Sequence, residues 1–114
     1  MFNIKSFDEI FFYRPNVDFR KGIDGLCAVV QDEMKLDPYK RYLFIFSCNG
    51  HRKIKILYWD KSGFVLWYKR LEEDKYRWPV KLEKDVIRID KDKLNDFLIG
   101  LDLWQMPHRE LNYS

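Results

Sequence analysis

Asp60 and the later run Glu73-Asp74-Lys75 are the residues whose types come nearest to catalysis. Carboxylates beside a lysine can hold a divalent ion and hydrolyse a phosphodiester. Spacing argues against it. Asp60 falls at the apex of an expected hairpin, and Glu73 lies nine residues beyond its expected strand partner Phe64. At about 3.3 Å per strand residue that is on the order of 30 Å, whereas two ligands of one ion stand within about 5 Å. Asp60 is more simply the acceptor that closes its own turn. A metal-dependent nuclease is kept only as the third reading.

Other chemistries find less support. Cys27, Cys48, His51 and His108 show no C-x-x-C or H-x-x-x-H spacing, so no metal site is expected. Cys27 falls on the apolar stripe of an expected helix, where a thiol behaves as a small hydrophobe. No G-x-S-x-G, P-loop or G-x-G-x-x-G is present. The residues point to a non-enzymatic protein without a cofactor.

Binding chemistry is better represented. The stretch Ile54 to Leu71, IKILYWDKSGFVLWYKRL, mixes Tyr58, Trp59, Phe64, Trp67 and Tyr68 with four basic residues. The net charge of +3 hides a segregation. Residues 39–81 carry 11 Lys/Arg against 4 Asp/Glu, while residues 1–38 and 82–114 each carry 5 against 7. A basic middle between acidic flanks suits a polyanion or an acidic partner. The plainer alternative is that the cations only solvate exposed strand faces.

The turn decides which side chains share a face. Lys61-Ser62-Gly63 reads as a three-residue loop, with Gly63 left-handed in a bulge. Asp60 then pairs with Phe64, Tyr58 with Leu66, Ile56 with Tyr68 and Ile54 with Arg70. One face gathers Ile54, Ile56, Tyr58, Phe64, Leu66 and Tyr68. The other carries Lys53, Lys55, Trp59, Trp67 and Lys69 beside Leu57, Val65 and Leu71. Lysines beside indoles could bind nucleic acid by phosphate contact and stacking. They could equally anchor an acidic protein.

Around this hairpin the chain reads as one domain, 1–114, of α+β class: a mainly antiparallel sheet of four to five strands with two helices. Ile10–Arg14, ending at Pro15, is a short strand, and Tyr42–Phe46 is a strand buried on both faces. Val86–Ile89 is a last short strand. Asp18 is the expected cap of a helix from Phe19 to Met34, striped by Ile23, Leu26, Cys27, Val30 and Met34. Gly22 and Gly25 in its first turns suggest either close packing or a later start. Asp90 caps a second helix, Lys91–Ile99, with Leu94, Phe97, Leu98 and Leu101 on one side. The hairpin links suggest helices on one sheet face. No window approaches the roughly 20 apolar residues of a membrane span. The N-terminus lacks a signal peptide's apolar region, so a cytoplasmic location with no membrane partner is expected.

Three strings carry a resemblance. They are Asp18-Phe19-Arg20-Lys21-Gly22-Ile23-Asp24-Gly25-Leu26, Leu43-Phe44-Ile45-Phe46, and Arg52 to Asp60 continuing through Trp67-Tyr68-Lys69-Arg70-Leu71-Glu72. With Tyr76-Arg77-Trp78-Pro79 and the tail Leu94 to Trp104, they resemble the accessory transposition protein of the insertion-sequence-66 family. The resemblance implies a bacterial mobile-element protein that assists a DDE transposase and has no established catalytic activity. Its implied partners are element DNA, the transposase, or both. The candidate contact residues are Lys53, Lys55, Trp59, Trp67 and Lys69, with Arg20, Lys21 and Arg70 as secondary candidates. The chain departs from the family's pattern at Ser47-Cys48-Asn49-Gly50-His51-Arg52, where many relatives carry an arginine-rich loop. A protein–protein module that never touches DNA is the second reading. Oligomeric state is not readable from the residues.

Overall fold

A computed structural model describes residues 3–100, 103–105 and 112–113. The continuous apolar run Tyr42-Leu43-Phe44-Ile45-Phe46 lies at the centre of the sheet, because only a strand covered on both faces can bury every side chain. In chain order the elements are strand β1 (Glu9–Tyr13), helix α1 (Ile23–Ala28), and strands β2 (Tyr42–Ser47), β3 (Lys53–Asp60), β4 (Gly63–Arg70) and β5 (Val86–Ile89). Helix α2 (Lys91–Leu98) and the two-residue strand β6 (Asn112–Tyr113) follow, and short 3-10 turns lie at Ile4–Ser6 and Leu103–Gln105. The sheet order is β4-β3-β2-β1-β5-β6. It is the expected α+β fold, with five longer strands and a short sixth.

Two features differ from the sequence expectation. β1 and β2 run parallel, while the other pairings are antiparallel. α1 lies in the connection between them, long enough for a crossover rather than a hairpin. The helices also take opposite faces, not one. Leu26 of α1 packs with Phe11, Phe44, Phe46 and Leu57. Leu94, Phe97 and Leu98 of α2 pack with Ile10, Phe12, Ile45 and Ile56. Adjacent strand residues point to opposite faces, so each of these strands feeds both cores. Phe97 lies edge-on to Phe12 at 4.8 Å and stacks on Tyr76 at 5.2 Å.

The first helix starts later than Asp18. Gly22 is its N-terminal flanking residue, and residues 29–33 continue it as a wider π-type turn. Asp18 does not cap the helix, because its carboxylate is taken by Arg20. Oδ1 accepts from the Arg20 amide at 2.9 Å, and Oδ2 accepts from the Arg20 guanidinium at 2.6 Å. The second helix begins after Asp90 as expected, though the Asp90 side chain makes no capping hydrogen bond. Leu101 lies outside the described residues.

The hairpin register is corrected as well. Asp60 pairs with Gly63, Trp59 with Phe64, Ile56 with Trp67, Lys55 with Tyr68 and Lys53 with Arg70. The loop is therefore Lys61-Ser62, and the left-handed residue is Lys61, at φ 48, not Gly63. The Ser62 amide donates to the Asp60 carbonyl around Lys61. A left-handed non-glycine residue costs about 1–2 kcal/mol. The shifted register packs Trp67, partly buried, against the α2-side core and leaves Tyr68 half exposed.

Candidate nucleic-acid interface

A one-residue slip moves a whole strand's side chains to the other face. β4 is the strand that moved. Lys53, Lys55 and Trp59 share the α1-side face with Phe64, Leu66, Tyr68 and Arg70. Trp67 and Lys69 lie on the opposite, α2-side face, where Trp67 packs on the core. The expected gathering of Lys53, Lys55, Trp59, Trp67 and Lys69 on one face is thus split in two.

The α1-side face has a basic end. Lys53 stands directly opposite Arg70. Like charges opposed across an antiparallel pair are destabilising by roughly 0.2–1 kcal/mol. The Arg70 guanidinium is partly compensated by Glu72 at 2.8 Å, which also raises its pKa. Next along β3, the Lys55 ammonium donates to the carbonyls of Phe19 at 2.8 Å and Lys21 at 2.9 Å. It also sits 4.9 Å from the Phe19 ring centroid. Lys55, two residues along β3 from Lys53, therefore ties the Asp18–Gly22 turn to this face of the sheet. The string from Asp18 to Leu26 and the string from Arg52 to Asp60 meet at this contact.

The cations of the turn and of this end of the hairpin differ in what they can offer. Arg20 holds the Asp18 carboxyl down to about 2 through its side-chain hydrogen bonds. Lys55 is committed to backbone carbonyls. Among the described residues, the ammonium groups of Lys21 and Lys53 have no hydrogen-bond or ion-pair partner. Tyr68, 49 % exposed, lies beside the Phe19 ring at 6.4 Å. Sequence reasoning places neither ring at this end. The expected register puts Tyr68 in the core, and the expected helix takes in Phe19.

Trp59 belongs to a separate group at the hairpin tip, with Phe64 at 5.0 Å and Tyr39 at 5.1 Å. The carboxylates that a nuclease would need do not meet. Asp60 lines a cleft at the tip with Trp59 and Lys61. Glu73 lines another with Gly50 and Arg52, at the far end of the hairpin. No group of three or more His, Cys, Asp or Glu suited to a metal occurs among the described residues. Cys27 is part-buried within α1, and burial, with Asp24 second, pushes its thiol pKa up, away from a reactive thiolate. No helix among the described residues is long and apolar enough to cross a membrane.

Comparison with known proteins adds the context that geometry lacks. A family model described as IS66 Orf2 like protein matches residues 8–108. The chain is 33% identical over 94 residues to uncharacterized protein y4jC of Sinorhizobium fredii, covering 82% of this chain and 79% of that protein. It is 33% identical over 92 residues to uncharacterized protein y4hO of the same organism, covering 81% and 78% respectively. No solved structure matches significantly.

Proposed function

The chain belongs to the IS66 Orf2-like family, and from that premise we propose that it is a non-catalytic accessory protein of insertion-element transposition that grips element DNA. The family membership supports the transposition-associated role. The DNA contact is our reading of the basic end. The observation that carries it is the Lys53–Arg70 pairing, joined by the turn that Lys55 anchors. A fold that keeps two cations opposed bears an electrostatic cost that a polyanion relieves. Arg20, Lys21, Lys53 and Arg70 are the phosphate contacts, with Lys55 positioning two of them. Trp67 and Lys69, on the other face, and Trp59, at the hairpin tip, are left out.

Fluorescence anisotropy of labelled element-end duplex at two salt concentrations tests this. Affinity should fall steeply with salt as counterions are released. A Lys21→Glu/Lys53→Glu variant should bind more weakly, its salt slope shallower by about one for each phosphate no longer neutralised. Equal binding by that variant, correctly folded, would overturn the reading.

A second reading draws on β4, an edge strand of eight residues. An open edge can accept a partner's strand. A pure protein–protein module for the transposase would co-purify with it at moderate salt and fail to shift element-end DNA.

A further inference from the structure

The tip of the β3–β4 hairpin holds a cleft of about 550 Å³, at the opposite end of the hairpin from the basic end. Its size lies within the usual range of small-ligand sites. One side is the Tyr39–Trp59 ring pair, at 5.1 Å. The other is the Phe7–Tyr58 pair, at 5.2 Å. Arg41 and Lys61 add two cations, and Asp60 adds one carboxylate. Arg41 is held in place by Ser6, which also lines the cleft. Its Nε donates to the Ser6 carbonyl at 2.9 Å, and its Nη2 donates to the same oxygen. A guanidinium has five N–H donors, so a fixed fork remains to meet an anion.

Rings on two sides, two cations and one acceptor describe a particular ligand chemistry. A planar base offers π faces to the rings and N–H donors to a carboxylate. Its phosphate offers the anion that Arg41 and Lys61 lack among the described residues. An aromatic peptide side chain would satisfy the rings and leave both cations uncompensated. A base inside a duplex is stacked and cannot enter. We infer that the cleft bounded by Tyr39, Trp59, Phe7 and Tyr58 receives an unpaired nucleotide, its phosphate held by Arg41 and Lys61. For the source of that nucleotide, an unpaired stretch of element DNA, the inference rests on the DNA-binding reading above.

Anisotropy with three labelled probes tests it: a blunt duplex, the same duplex with a single-stranded overhang, and an oligothymidylate. Calorimetric titration with free deoxynucleoside monophosphate makes a fourth arm. Stacking is sequence-tolerant, and removing one stacked base lowers affinity by roughly 5- to 150-fold. The overhang probe should therefore bind tighter than the blunt one by a factor in that range. Trp59→Leu should erase the preference and leave blunt-duplex affinity unchanged. Tyr39→Ala should do the same, and Tyr39 is 57% exposed, so that variant will fold. Equal binding of blunt and overhang probes by the wild type, with no monophosphate binding, would overturn the inference, as would a preference that survives both variants. Overhang and oligothymidylate binding without blunt-duplex binding upholds the cleft and overturns the basic end. Blunt binding without overhang preference does the reverse. Tight monophosphate binding without overhang preference overturns the DNA source and assigns the cleft to a free nucleotide.

Discussion

The Lys55 ammonium lies 2.8 Å from the carbonyl oxygen of Phe19, thirty-six residues earlier in the chain. A second hydrogen bond, to the Lys21 carbonyl at 2.9 Å, makes this lysine a fastener between turn and sheet. Hydrogen bonds to a charged group are worth about 1.5–3 kcal/mol each, less where water competes. Lys55→Met should therefore lower unfolding free energy by about 2 kcal/mol in urea titration. Lys55→Arg should not restore it, because a planar fork does not reproduce a compact ammonium. A change within experimental error would mean that the contact is incidental.

Lys53 predicts the opposite sign. Its partner across the strands is Arg70, so the pair is repulsive. Lys53→Glu turns it attractive and should stabilise the fold by a few tenths to about 1 kcal/mol. The same change should weaken DNA binding. Gain of stability with loss of binding is the behaviour of a residue kept for function. A variant that lost both would place Lys53 in the structural class with Lys55.

These two lysines show how far the sequence could be read. The double-sided strand Tyr42–Ser47, the hairpin and the Leu94-Phe97-Leu98 stripe were legible, because burial periodicity extends over many residues. The register was not. It turns on whether a single residue, Lys61, accepts a left-handed conformation, and no local rule favours a lysine there. That choice sent Trp67 to the core and left Tyr68 exposed. Asp18 had the right type for a cap, but the guanidinium two residues on took its carboxylate first. The tip cleft was illegible for another reason. Phe7, Arg41 and Trp59 are far apart in sequence and meet only when β2 pairs with both β1 and β3. The one local hint was Tyr39-Lys40-Arg41, a ring beside two cations.

Lys61 itself can be tested. Glycine adopts φ 48 without a Cβ penalty. Lys61→Gly should stabilise the hairpin by up to about 1 kcal/mol, after the glycine's extra unfolded-state entropy is deducted. Replacing Gly63 with alanine should be tolerated, since Gly63 is not left-handed and a Cβ there meets nothing within 4 Å. If the three-residue loop were correct, Gly63 would be the left-handed residue and Gly63→Ala the damaging change. The pair of variants separates the two registers by urea denaturation alone.

His51 should give the stability a pH dependence. Its ring stacks on Trp78 at 5.7 Å, and its Nδ1 is buried with no partner among the described residues. Burial, with Lys75 second, lowers its pKa from the ordinary 6.5. The unfolded chain therefore binds a proton more readily than the folded one. Stability is complete above about pH 6.5 and falls as pH drops through the window between 6.5 and the depressed folded value. Asp18 acts in the same direction but only between 3.8 and about 2, so it does not confuse a measurement above pH 5. Urea titrations at pH 7.5 and 5.5 should show lower stability at 5.5, and His51→Gln should remove most of the difference. A His51→Gln chain that keeps the full pH dependence would assign it to another group.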